Sequence, residues 1–563
     1  MFTFCFHKSA SVSLLHYAVL NVAPLRSPAK AAARRSYWTI SSMNAKSQTS
    51  DAESKSFYQY TSGRWLWNED AQLAVRYVKF NIKELCCIAA ASVGSTSCTD
   101  VTKLTEGNFN KVLLLTTDDG KEVIAKIPNP NAGYPHFLTA SEVATNGFSP
   151  KVYTWCAKAD ETPVGAEYIV MEKSPGIKLS HVWDDMHVLK KSEIVTQLVR
   201  FDASLASNPL PAYGSLYYAQ DANGDKFAVG PTNNRKYFDD GRATLPLDHG
   251  PWDSVEQYVL ANARREKQSI INLPPSRRLQ GLFNGPGQYQ PSRKTKLRAL
   301  DCYMKVARHL LPKITETHRP VLWHPDLHGD NSFVDPDNPT KITGIIDWQA
   351  AHIAPLFLQV RRPGLLDFDG PIPERMKPPK RPENFDQLSP DEKAGAKKLH
   401  AAQAMHVLYE IELLQQCREA GQALRGRETL VGRLAGLVGS IFDDGEPIVL
   451  GLLMQAVDRW TEIVGQDPDE YRPRVPCPIH FTNAERAQQR ADQTKWEEGV
   501  KIMDEIVRAI GAYSGWDGFV NHDDYGSRKR AVADVREAFV QRVAASDEER
   551  REWIKAWPFP VDG

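Results

Sequence analysis

A polar loop carried between apolar strands from Val321 to Trp348 restricts the folds open to this chain. Val321-Leu322-Trp323 reads as a strand that delivers His324-Pro325-Asp326-Leu327-His328-Gly329-Asp330-Asn331, and Ser332-Phe333-Val334 leaves the loop as a second strand. After a turn from Asp335 to Pro339, the run Ile342 to Ile346 ends in Asp347-Trp348. Two strands that bring an Asp, an Asn and a second Asp to a common end suit a cation and phosphate site. Phosphoryl transfer needs a carboxylate to orient or deprotonate the acceptor hydroxyl, and oxygen ligands for magnesium bridging the phosphates. Asp326 suits the first role, and Asn331 and Asp347 suit the second. His324 and His328 with Asp326 would make a crowded zinc set.

The N-terminal half offers the complementary part. Val112 to Thr116 is a β-rich run, Asp118-Asp119-Gly120 a hairpin turn, Val123 to Ile127 the next run, and Tyr168 to Met171 another short strand. Ahead of the hairpin, Glu106-Gly107-Asn108-Phe109-Asn110-Lys111 forms a loop between two strand-like stretches, and Lys126 stands on the strand that follows. A lysine on such a strand is ordinarily an edge residue whose charge snorkels to water. With a phosphate site downstream it becomes a phosphate ligand. Thr139 to Thr145 predicts a short helix of about two turns, carrying Glu142 as the anion that would orient Lys126.

The remainder reads as mainly helical. Helices are expected over Asn68 to Phe80, Lys191 to Ala206, Ser254 to Gln268, Arg298 to Leu311, Gln488 to Ala512 and Ala531 to Ala545. Ser389-Pro390-Asp391-Glu392 is a helix start with a capping hydroxyl and a first-turn proline. Pro274 to Ser292 and Arg361 to Leu388 read as irregular segments rich in Pro or Gly and charge. Tyr60 to Trp67 is an aromatic extension whose two Trp and one Arg suit packing against a neighbouring surface.

His324-x-Asp326-Leu327-His328-x-x-Asn331 followed by Ile346-Asp347-Trp348 resembles the catalytic motif of the aminoglycoside phosphotransferase family, within the protein-kinase-like fold. The resemblance implies an α+β, bilobal architecture: a small antiparallel-sheet lobe and a large helical lobe with extra C-terminal helices. It implies ATP and Mg2+ as cofactors. Lys126, oriented by Glu142, would hold the α- and β-phosphates, and the loop Gly107, Asn108 and Phe109 would cover the phosphates. Asp326 would serve catalysis with His324 supporting its loop by hydrogen bonding, and Asn331 and Asp347 would hold the metal. The acceptor would be a small molecule, because Asp347 is followed by Trp348-Gln349 in place of Phe-Gly and no Ala-Pro-Glu segment follows.

A wider set of peptides is similar to the fungal mitochondrial group of altered inheritance of mitochondria protein 9. It comprises Tyr60 to Trp65, Ile127 to Gly133, Ala140 to Thr145, Gly165 to Tyr168 and Val182 to Met186. The alternative to an enzyme is a pseudokinase, a nucleotide- or partner-binding module without turnover. The sparse glycine loop and short Glu142 helix lean towards it. The joint presence of Lys126, Asp326, Asn331 and Asp347 leans against it.

The chain has 563 residues, with Lys plus Arg and Asp plus Glu equal at 69 each, so no overall field draws in nucleic acid. No apolar run of the length that spans a bilayer occurs. None of the eight cysteines forms a C-x-x-C pair, which suits free thiols in a reducing compartment. Met1 to Ser50 holds no Asp or Glu, while Lys8, Arg26, Lys30, Arg34, Arg35 and Lys46 are basic. That composition predicts a mitochondrial transit peptide, with Arg34-Arg35-Ser36-Tyr37 as a processing site by resemblance. The expected organisation is leader 1–50, extension 51–100, small lobe 101–175, large lobe 176–470 with insertions at Ala228 to Ser292 and Arg361 to Leu388, and C-terminal helices 471–563. The last surface suits packing within the chain or between chains.

Overall fold

Alternation along Asn110–Thr117 and Glu122–Pro128 sorts the small lobe into two faces. Leu113, Leu115, Val123, Ala125 and Ile127 turn to one side and bury against Phe57, Phe80, Leu85 and Ala89. Val112, Leu114, Ile124 and Lys126 turn to the other and line a cleft. These observations come from a computed structural model that describes residues 51–146, 150–219, 227–275, 281–466, 473–512 and 516–559. The proposed leader and its processing site lie outside the described residues.

Five antiparallel strands form the small-lobe sheet, in the order Cys98–Lys103, Asn110–Thr117, Glu122–Pro128, Tyr168–Glu172, Val152–Cys156. Lys126 sits on the third strand in chain order, opposite Val112 on one side and Ile169 on the other. The helix Ile82–Ser92, capped by Asn81 whose side chain accepts from the Glu84 N–H, covers the buried face. The large lobe is helical: Val188–Ser207 lies along Pro390–Gln416, and Arg293–Val306 packs between Val255–Asn272 and Glu446–Asp458. Two small sheets carry the Val321 to Trp348 region. Pro320–Leu322 pairs with Ile353–Pro355, and Ser332–Val334 lies between Ile342–Ile345 and Ile177–Lys178. This is the α+β, two-lobed kinase-like architecture that the resemblance implies.

Several elements depart from expectation. The helix predicted over Asn68 to Phe80 is confined to Glu69–Ala74. Arg76, 3% exposed, donates to the Gln72 carbonyl (2.8 Å) and its guanidinium lies 4.3 Å from the centre of the Trp65 ring, so the chain turns inward there. Val78 then bonds to the carbonyl of Tyr58. The helix expected from Arg298 starts at Arg293 under a Ser292 cap, and ends at Val306 before a tighter turn, Ala307–His309. At Ser389 the capping box forms in full with Glu392. The segment expected as an insertion from Ala228 contributes Tyr237, Trp252 and Tyr258 to the main core.

The aromatic extension meets the far end of the chain. Arg64–Trp65 pairs antiparallel with Phe519–Val520, and Trp67 stacks edge-on with Trp516 at 5.1 Å. Gly63 passes so close to Phe519 that a Cβ there would lie 2.5 Å from its ring. The C-terminal helices Asn483–Ile510 and Tyr525–Val543 are held in this way against the N-terminal extension. Among the described residues, no helix is long and apolar enough to cross a membrane.

Candidate active site

Lys126 enters the cleft between the lobes from the sheet face that also carries Val112, Leu114, Ile124 and Met171. Its Nζ lies 2.6 Å from Glu142 Oε1 and 2.7 Å from Asp347 Oδ1. Glu142, 2% exposed, stands on the helix Phe137–Thr145, which has the short length the sequence predicts. The helix spans two and a half turns and buries eight of its nine residues, Glu142 among them. Burial alone would favour a neutral Lys126; the charges of Asp347 and Glu142 outweigh it and hold the lysine above its ordinary range. The small lobe is thereby tied to the large lobe through a charged bridge.

Asp347 adopts φ 67°, a left-handed conformation that an Asp tolerates better than most residues, and its side chain is 38% exposed to the cleft. His324 holds the backbone at both Asp326 and Ile346. Its Nδ1 accepts from the Asp326 N–H (3.2 Å), and its Nε2 lies 2.9 Å from the carbonyl oxygen of Ile346, the residue before Asp347. One ring nitrogen must accept and the other donate, which is what a neutral imidazole provides. Burial lowers the His324 pKa to about 4, so neutrality is maintained. His324 is 1% exposed, packs edge-on to Trp348 at 4.9 Å and does not line the main cleft. Its ring nitrogens are occupied by backbone, in line with the loop-supporting role that the resemblance implies for it.

Asp326 lines the cleft, with His328 Nε2 3.4 Å from its Oδ2. Burial would lower the His328 pKa, but the hydrogen bond to Asp326 and the charge of Asp326 raise it. Asn331 donates from Nδ2 to the Asp326 carbonyl (2.9 Å), leaving Oδ1 as the atom available to a cation. The carboxylate of Asp347 and the amide oxygen of Asn331 line the same cleft and are hard oxygen donors of the kind magnesium takes. Among the described residues, no group of three or more His, Cys, Asp or Glu is arranged to hold a metal. A magnesium ion here would therefore need further oxygens from phosphates and water.

Gly107, Asn108 and Phe109 line the roof of the cleft. Gly107 has an ordinary φ, and an added Cβ would meet no neighbour, so its lack of a side chain does not shape the loop. The loop is held from beneath instead. Asn131 Nδ2 donates to the Asn108 carbonyl (3.2 Å), the Asn129 N–H donates to that of Phe109 (2.8 Å), and Arg235 of the large lobe lies 4.1 Å over the Phe109 ring. Glu106, 1% exposed, neutralises Lys111 and Lys103 at 3.0 and 2.8 Å and accepts from the Thr61 N–H.

Sequence reasoning missed two contributors. Asn110 and Gln349 exchange both amide hydrogen bonds at 2.9 Å, fully buried and 239 residues apart, which clamps the sheet to the segment after Asp347. Arg361 donates to the His324 carbonyl (3.4 Å) and lines the cleft beside Asp326. No short-range spacing announces either. Asn110→Ala leaves the Gln349 amide buried without its partner and is expected to cost about 1–3 kcal/mol. A chemical-denaturation midpoint compared with wild type measures this.

Residues 100–358 match the phosphotransferase enzyme family. A subtelomeric hrmA-associated cluster protein of Aspergillus fumigatus is 27% identical over 516 residues, covering 82% of this chain and 97% of its own length. Altered inheritance of mitochondria protein 9, mitochondrial, of Yarrowia lipolytica is 24% identical over 521 residues, covering 80% of this chain and 83% of its own. Among solved structures, an ADP-bound aminoglycoside phosphotransferase matches at 12% identity and a TM-score of 0.32, over 63% of this chain and 92% of that one.

Proposed function

We propose that this chain, whose residues 100–358 match the phosphotransferase enzyme family, moves the γ-phosphoryl group of ATP to a hydroxyl of a small molecule. The observation that carries the reading is the convergence of Lys126, Glu142, Asp326, Asn331 and Asp347 on one cleft of about 1370 Å3 between the lobes. That volume accommodates a nucleotide and a second ligand together. In this reading the apolar sheet face covers the base, and Lys126 meets the α- and β-phosphates once Asp347 turns to metal. Magnesium held by Asp347 and Asn331 would neutralise charge developing on the transferred group. Asp326 would take the proton of the acceptor hydroxyl, on a loop that His324 holds rigid.

The protein is further proposed to act in mitochondria. The acid-free, basic Met1 to Ser50 segment and the mitochondrial naming of relatives at 22–24% identity support this. A fusion of Met1 to Ser50 to a fluorescent protein is expected to reach mitochondria, and a cytosolic signal would refute it.

Calorimetric titration with ATP tests the site. Wild type is expected to bind ATP in a magnesium-dependent manner, and Asp347→Ala to lose most of the magnesium dependence while staying folded. Absence of nucleotide binding by wild type, with or without magnesium, would overturn the phosphotransferase reading. Transfer of labelled phosphate from ATP to a compound in a mitochondrial metabolite extract separates turnover from binding alone.

A further inference from the structure

The large-lobe side of the cleft carries cations interleaved with carboxylates. Arg235, Lys236, Arg242, Arg265, Arg361 and Arg427 line it, against the carboxylates of Asp239, Asp240 and Asp443 and the proposed base Asp326. Three of these arginines have close counter-charges. Arg235 meets Asp239 at 3.0 Å, Arg265 meets Glu266 at 3.0 Å, and Arg242 meets Asp240 at 3.1 Å.

Arg361 and Arg427 differ. Among the described residues, neither has a carboxylate within ion-pair distance. Arg427 spends one nitrogen on two backbone oxygens, those of Leu358 at 3.1 Å and Val360 at 2.9 Å, and Arg361 reaches the His324 carbonyl. Both therefore keep donor capacity towards the cleft that they line, since a guanidinium carries five N–H groups. Burial lowers the Arg427 pKa to about 10, with the charges of Arg361 and Arg362 adding to it. Both guanidinium groups stay protonated at neutral pH even so, and a charge held this deep is stabilised when an anion joins it.

Resting on the phosphotransferase reading above, we propose that the acceptor is an anionic small molecule, bearing a phosphate or carboxylate group that Arg427 and Arg361 bind while its hydroxyl reaches Asp326. A cationic acceptor would face this wall at a Coulombic cost. A neutral one would leave Arg427 without a counter-charge and Arg361 with only the charges of Asp326 and Asp202, which lie beyond ion-pair distance. Guanidinium forks favour planar, two-point contact with either oxyanion, so phosphate and carboxylate are separated by experiment.

The test uses the full-length protein saturated with magnesium and a non-hydrolysable ATP analogue, so that the nucleotide's own phosphate positions are filled. Inorganic phosphate, acetate and ethanolamine are then titrated calorimetrically. One of the two anions is expected to bind at least about tenfold more tightly than ethanolamine, which is about 1.4 kcal/mol. The better anion identifies the acceptor's charged group. Arg427→Gln should weaken that anion about tenfold or more with analogue affinity unchanged, and Arg427→Lys should restore part of the loss. Preference for ethanolamine, absence of binding by both anions, or undiminished anion binding by an Arg427→Gln protein that still binds the analogue would each overturn the proposal. Failure of the analogue itself to bind would instead overturn the phosphotransferase reading.

Discussion

Asp326→Asn is expected to lower phosphoryl-transfer turnover by about 10²–10⁴-fold and to leave magnesium-ATP affinity nearly unchanged. The substitution keeps volume and hydrogen-bonding reach but removes the carboxylate that would accept the hydroxyl proton. The fold should not respond, because the backbone of residue 326 is held by His324 and Asn331 through its N–H and carbonyl, which Asn retains. Its side chain lies 3.4 Å from His328 and lines the cleft. A steady-state comparison of kcat and KM for ATP, with calorimetric ATP affinity alongside, distinguishes lost chemistry from lost binding. Turnover equal to wild type would remove Asp326 from the proposed base role.

Glu142→Ala is expected to act on stability and catalysis together. Lys126 and Glu142 are both almost wholly buried, at 6% and 2% exposure. Removing one partner of a buried ion pair leaves a charge with incomplete compensation and costs about 3–5 kcal/mol. Asp347, also bonded to Lys126, softens that cost, so the expected loss is at the lower end, about 3 kcal/mol. The functional loss follows from the same geometry: with Glu142 gone, Lys126 has only Asp347 to pair with, and the carboxylate proposed for magnesium is drawn into that pair. Unfolding midpoints report the first effect, and the magnesium dependence of ATP binding the second. A double-mutant cycle with Lys126→Met isolates their coupling. Additive effects would show that the pair does no work beyond its separate members.

The residues that the proposed chemistry needs most were also among the easiest to read. Asp326 and Asn331 are five positions apart on one loop between strands, and Asp347 lies just past the next strand. Such information is local, because hydrophobic runs mark strands and polar interruptions mark what they deliver. Lys126 is legible for the same reason, since period-two alternation places it with Val112, Leu114 and Ile124 on the face opposite the buried core.

The helix over Asn68 to Phe80 failed because a local period says nothing of a side chain required elsewhere. Arg76 is drawn inward by Trp65 and by the carbonyl of Gln72, and propensity yields to that packing.

Local pattern alone marked the strands on either side of the Asp118 hairpin, the long helices Val188–Ser207, Val255–Asn272, Asn483–Ile510 and Tyr525–Val543, and the loop that carries Asp326 and Asn331. Only tertiary structure decided which residues meet across the cleft. Asn110 finds Gln349 239 residues away, Arg64 and Trp65 find Phe519 and Val520, and Arg427 comes beside Arg361 at the segment Leu358 to Arg361. The physical reason is that these contacts depend on how packed elements are oriented. That orientation follows from burial of apolar surface over the whole molecule, a non-directional force that leaves no signature at the residues it brings together. The catalytic chemistry proposed for this chain can thus be read along a loop, whereas the charge proposed for its acceptor rests on arginines brought together from distant stretches of chain.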